Sequence, residues 1–136
     1  MTIAEQRAAL VEAALSFVGT RFRLHGRSAQ TGLDCVGLIH ASLAAIGRAT
    51  SVPEGYRLRN TDPSRWYKSA LDSGFLPVIA KPIGGDVILV QPGPAQQHLV
   101  IVESSHSGIH AHAGLGRVVR QPMDFPTNPP AHWRLH

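Results

Sequence analysis

The chain has a single cysteine, eight aromatic residues, two lysines and no long uninterrupted apolar run in 136 residues. One cysteine cannot form an intramolecular disulfide, so nothing in the sequence argues for an oxidising compartment. No stretch approaches the roughly 20 apolar residues needed to span a bilayer as a helix, and no membrane partner is expected. Residues 1–18 carry Glu5 and Glu12 inside their apolar pattern and do not read as a signal peptide. Synthesis in the cytoplasm is therefore expected, with some other agent delivering the protein if it acts outside the cell. The formal charge of +4 rests on arginines scattered along the chain, apart from Arg21, Arg23 and Arg27. With few rings for base stacking, this excludes nucleic acid as the expected partner. A solvated surface or an acidic substrate accounts for the charge.

What remains is enough for one domain, residues 1–136, with a real core. Residues 3–18 form an amphipathic helix pattern, with Leu10, Ala14, Phe17 and Val18 at helical spacing and Gly19 after them. A loop over 19–33 leads to a second helix, Cys35 to Ile46. That helix is apolar on almost every side and is expected at the centre of the fold. Gly37 in its first turn costs helix propensity and marks a close approach to a neighbour. Asp62-Pro63 reads as a cap and first helical residue for a third helix ending at Ser73. The period then changes to two. Strands are expected over 86–90, 98–103, 108–113 and 117–120, with a short one near 132–135. Turns fall at Gly84-Gly85, Pro92-Gly93-Pro94, residues 104–107 and residues 114–116. Helices followed by an antiparallel meander make an α+β fold.

The stretch Thr31-Gly32-Leu33-Asp34-Cys35-Val36-Gly37-Leu38 holds the only cysteine. Asp34 is a natural N-cap, so Cys35 opens the helix, where free N–H groups and the dipole favour a thiolate. On that stretch alone a small buried hydrophobe is the simpler reading. Histidines elsewhere change the balance, since a lone cysteine with histidine partners is a nucleophile candidate. His98 opens a strand with Val100 and Val102 on its own face. If that face packs on the central helix, His98 reaches the helix start and can form a thiolate–imidazolium pair with Cys35. His110 and His112 share one face of the next strand, and either could hold His98 in the right tautomer. A turn near Ser105-His106 would place residue 113 opposite His98 and leave His110 diagonal to it.

Three blocks of this chain resemble the NlpC-type cysteine peptidases, cell-wall hydrolases with a compact papain-like fold. Gly19 to Gly26 stands where that family has a Gly-x-Pro-Tyr-x-x-Gly-Gly-like loop. Asp34-Cys35-Val36-Gly37-Leu38 is similar to its Asp-Cys-Ser-Gly-Leu. Gly85-Asp86-Val87, His98-Leu99-Val100-Ile101-Val102 and Ile109-His110-Ala111 follow its Gly-Asp-Leu, His-Val-Gly-Ile-Tyr and Ile-His-Ala. The blocks span nearly the whole chain in the family's order.

The resemblance implies N-terminal helices, with the nucleophile at the start of a central helix packed on an antiparallel sheet. It implies Cys35 as nucleophile, His98 as general base and acid, and His110 as the orienting third residue with His112 in reserve. Asp34, Phe22 and Val36 then fall at substrate-binding or oxyanion positions. The backbone N–H of Cys35 is a natural oxyanion donor at a helix start. No cofactor and no metal is implied. Val36 stands where the family has serine, and Phe22 where it has tyrosine; both departures bear on substrate preference.

The implied activity is cleavage of peptidoglycan stem peptides at a D-glutamyl–diamino acid bond. The Phe22-Arg23-Leu24-His25-Gly26-Arg27 and Asp34-Cys35-Val36-Gly37 variants further resemble the subgroup found in tailed phages and gene-transfer-agent-like particles. This implies tail proteins as partners and delivery to the host wall by the particle. Two other readings stand beside it. One is a structural tail component with a degraded or closed site. The other is a metal site from His106, His110 and His112, weakened by the lack of any acid at ligand spacing. Residues 48–61 and 122–131, irregular and proline-bearing, are candidates for the walls of the cleft.

Overall fold

The structure, a computed structural model, describes residues 1–53, 64–92 and 97–136. The expected Asp62-Pro63 cap, most of the 48–61 loop and the end of the Pro92-Gly93-Pro94 turn lie outside the described residues.

Helix α1 runs Ile3–Ser16. Thr2 caps it, its side-chain oxygen accepting from the Glu5 N–H at 3.1 Å. It ends two residues before the expected Val18, and Gly19 then takes the positive φ of +94° that turns the chain. Helix α2 is Cys35–Ala45, with Val36, Gly37, Leu38, Ser42 and Leu43 buried. Full burial of Leu38 and Leu43 stabilises the fold by about 2 kcal/mol apiece. Ser42 avoids a buried, unbonded hydroxyl by donating to the Leu38 carbonyl at 2.7 Å. Helix α3 spans Ser64–Asp72, and Gly74 at φ +91° breaks it.

The loop before α2 contains a small hairpin, β1 (Arg27–Ser28) and β2 (Gly32–Leu33). The main sheet comprises β3 (Phe75–Pro77), β4 (Val87–Val90), β5 (His98–Ser104), β6 (Ser107–His112), β7 (Arg117–Pro122) and β8 (Ala131–Leu135). Its order is β3-β8-β4-β5-β6-β7, and every pairing is antiparallel. The meander from β4 to β7 is therefore as expected, but the last strand returns beside β4 (Ile88 opposite His132) rather than extending the meander. Strand β3 was not expected. It is three residues long and ends in a proline, too short for a period to show.

Alternation along the strands divides the sheet into two faces. Val87, Leu89, Leu99, Ile101, Ile109, Ala111 and Trp133 join Leu10, Leu38 and Leu43 in one core under the helices. Ile88, Val100 and Val102, also buried, point to the other face. On that side Met123 and Phe125 lie close over Gly108, so this part of the 122–131 segment covers sheet rather than leaving it bare. The expectation that the His98–Val100–Val102 face packs on the central helix is thus corrected. The Leu99–Ile101 face does so, and because residues 99–102 are all buried the alternation alone did not distinguish them. No helix among the described residues is long and apolar enough to cross a membrane.

Candidate active site

The site is built where the start of α2 meets the first residues of β5, with α2 packed on β5 and β6. Asp34 organises this corner and is only 1% exposed. Its Oδ1 accepts from the Gly37 N–H at 2.8 Å, the N-cap bond, and from Arg27 Nη1 at 3.0 Å. Its Oδ2 accepts from the His25 N–H at 2.7 Å. A carboxylate enclosed in this way holds the helix start, and turning it toward a substrate would break one of these bonds. His25 meets it from a left-handed conformation, φ +61°, that few non-glycine residues adopt. Gly37 is required: a methyl group there would overlap the Gly26 carbonyl oxygen. The close approach expected at this glycine is therefore the crossing of the 19–33 loop over the first turn of α2.

That loop is tied down at several points. The Gly19 N–H donates to the Val118 carbonyl at 2.9 Å and the Val118 N–H to the Thr20 carbonyl at 2.8 Å. Phe22 donates from its backbone to Gly116 at 2.8 Å and packs, half-buried, against the core. Val36 faces inward, lining with Ile39, Trp66, Leu99 and Trp133 a cavity of about 50 Å³ behind α2. Of the positions assigned to substrate contact, Phe22 is partly accessible while Asp34 and Val36 are buried.

Cys35 opens the helix and is half-buried. Its thiol lies against the backbone at Leu99, the residue after His98, which supplies it a hydrogen bond. Protein packed around the sulfur pushes the thiol up to about 12, and the neighbouring Asp34 carboxylate adds to the effect. Backbone hydrogen bonds from Leu99, Val36 and Cys35 itself pull downward without overcoming it.

His98 is also perturbed. Burial lowers it to about 3, with further contributions from His110 and His112. The resting pair is an uncharged thiol and an uncharged imidazole at neutral pH. Desolvation thus works against the expected thiolate–imidazolium pair and against the benefit of the helix start. Among the described residues no hydrogen bond joins Cys35 to His98 in this state.

His98 and His110 do meet. His98 Nε2 and His110 Nδ1 are 2.7 Å apart, with the rings edge to face at 4.9 Å between centroids. The register explains the choice of histidine. Ile101 stands opposite Ile109 and Val102 opposite Gly108, with an irregularity before Ser104–Ser107. Continued along the strands, it sets residue 112, not 113, opposite His98 and keeps His110 on the diagonal. His112 is engaged elsewhere, its Nδ1 accepting from the Leu115 N–H at 2.9 Å in the turn to β7. His106 stands at the other end of β6, 3.4 Å from Asp124 on the surface, away from His110 and His112. His110 is buried and bonded on its far side, Nε2 lying 2.8 Å from Gln121 Oε1. Gln121 had no mark in the sequence. Only the β6–β7 register, His110 opposite Val119 and Gly108 opposite Gln121, puts it beside the histidine.

No family model matches the sequence, and no curated protein matches it. Solved structures do. The α+β architecture is the papain-like fold of NlpC/p60 domains. The NlpC/p60 domain of the peptidoglycan hydrolase SagA superposes with a TM-score of 0.62 at 21% identity, over 93% of this chain and 96% of that one. The peptidoglycan hydrolase RipB from Mycobacterium tuberculosis gives 0.71 at 21% identity, over 98% of this chain and 66% of RipB. The P60 domain of antigen MAP1204 from M. avium subspecies paratuberculosis gives 0.68 at 20% identity, over 99% and 98%.

Proposed function

We propose that this protein is a cysteine peptidase that cleaves the peptide stems of bacterial peptidoglycan. The observation that carries the reading is the 2.7 Å contact of His98 with His110 at the strand end where the Cys35 thiol lies, within an NlpC/p60-type fold. In the proposed reaction a stem carbonyl enters beside Cys35 and displaces water from the corner. The sulfur attacks as its proton passes to His98, so the charged pair exists only with substrate in place. Charge developing on the carbonyl oxygen is met by the backbone N–H of Cys35 at the start of α2. The imidazolium of His98 protonates the departing amine, leaving a thioester on Cys35. Water, activated by His98, then releases the acid and restores the thiol. His110 orients His98 throughout.

The scissile bond we assign is D-glutamyl to diamino acid, on the resemblance of the Asp34–Leu38, His98–Val102 and Ile109–Ala111 blocks. Stem carboxylates suit a chain of net charge +4. The variants at Phe22–Arg27 and Asp34–Gly37 support a setting in a phage tail or tail-like particle that carries the enzyme to the wall. The uncharged resting pair also favours a second reading, a structural tail component whose site stays closed.

Muropeptide release from purified peptidoglycan, read by mass spectrometry for wild type and Cys35→Ala, decides between them. Defined stem fragments from the wild type alone identify the peptidase and its bond. Silence from both folded proteins supports the structural role.

A further inference from the structure

Three consecutive strands of the sheet each contribute one polar side chain to a continuous line: His98 from β5, His110 from β6 and Gln121 from β7. The contacts are 2.7 Å from His98 Nε2 to His110 Nδ1 and 2.8 Å from His110 Nε2 to Gln121 Oε1. With the Gln121 amide oxygen facing His110, hydrogen-bond arithmetic along this line has one solution. An amide oxygen only accepts, so His110 Nε2 carries a proton. A neutral imidazole carries one proton, so His110 Nδ1 is bare and accepts. His98 Nε2 must then donate, which leaves His98 Nδ1 as its free lone pair. That nitrogen has no hydrogen-bond partner among the described residues, as a base awaiting the thiol proton requires.

We propose that Gln121 is a positioning residue that sets the tautomers of both histidines and so keeps His98 Nδ1 unprotonated for Cys35; this rests on the peptidase reading above. The amide is reversible in principle. Turned over, its NH₂ would donate to His110 Nε2 and reverse every bond in the line. His98 Nδ1 would then bear a proton and could not act as a base. The choice lies with an exposed residue on β7, two strands away from His98. The histidines have no carboxylate among the described residues to make it for them. The bond from Gln121 also raises His110 against the lowering effect of burial, in keeping with an accepting oxygen.

The test is ¹⁵N NMR of the histidine ring nitrogens, together with stem-peptide hydrolysis, on wild type and three variants of this surface position. Gln121→Glu keeps an accepting oxygen and removes the amide donors, and should retain the His98 Nε2–H form and most of the activity. Gln121→Leu removes the acceptor and should leave mixed tautomers. Gln121→Lys supplies only donors, should move the proton to His98 Nδ1, and should lower kcat by about 100-fold with KM unchanged. A wild-type His98 protonated on Nδ1, or tautomers unchanged in both the Leu and Lys variants, would overturn the proposal. The NMR readout stands apart from activity: correct tautomers in an inactive wild type would sink the peptidase reading and spare the role of Gln121 in the line.

Discussion

Among the described residues one face of the sheet holds two histidine clusters, and they are built on opposite principles. At the β4–β8 side, His132 Nε2 lies 2.7 Å from Asp86 Oδ2, and Arg134 grips the same carboxylate at 2.9 and 3.0 Å. The Ile83 N–H adds a further bond to Asp86 at 3.0 Å. Asp86 is fully buried, and its surroundings are arranged so that its charge is met. At the β5–β7 side, His98 meets another histidine, and that histidine meets an amide. Among the described residues its hydrogen-bonded neighbours are neutral, and burial favours the uncharged form of both rings. A charge pinned by its partners clamps strands together, whereas a ring denied a counter-ion keeps a lone pair for chemistry. The first cluster is a clasp and the second is a base in waiting.

The largest effect expected from breaking this contrast is at the clasp. Asp86→Asn would leave Arg134 without its buried counter-charge and should cost about 3–5 kcal/mol, read from the urea midpoint. His98→Ala strands no charge and should cost about 1 kcal/mol, the net worth of a hydrogen bond. Stem hydrolysis should show the reverse ranking, with His98→Ala lowering kcat at least about 100-fold. Asp86→Asn should spare turnover in the fraction that stays folded.

Acid sharpens the same comparison. The folded-state pKa of His98, about 3, lies below the ordinary 6.5. On acidification through 6.5 the unfolded chain takes up a proton that the folded one refuses. Stability is therefore lost as pH falls from 6.5 toward 3, with a slope approaching about 1.4 kcal/mol per pH unit, and His98→Ala should flatten that slope. Cys35 acts at the other extreme. Its folded pKa, about 12, exceeds the ordinary 9.0, so stability should fall as pH rises above 9 and Cys35→Ala should remove that loss. Unfolding midpoints across the pH range check both signs.

How much of this was legible in the sequence depends on what each residue needed to reveal itself. Asp34 immediately precedes the apolar helical run that Cys35 opens, and a cap is a local matter, so the helix start was readable. Gly37 was readable because a glycine in a helical first turn has a cost that only close packing explains. The side of β5 that meets α2 was not: Leu99 through Val102 are all buried, and a period of two names faces without saying what covers them. The return of β8 to the side of β4 is a long-range pairing with no local mark. The uncharged state of the site was hidden for a similar reason, since the helix start is written locally and desolvation is not. Gln121 was silent because an exposed glutamine near a strand end looks like any other surface residue until its neighbour across the ladder is known to be His110.

The nucleophile is the central claim, and intact-protein mass spectrometry during turnover tests it most directly. Rapid acid quenching of the wild type with a defined stem peptide should reveal an adduct equal to the acyl half of the substrate. That adduct should map to Cys35 and disappear in Cys35→Ala together with product formation. Product release with no adduct, undiminished in Cys35→Ala, would contradict the account.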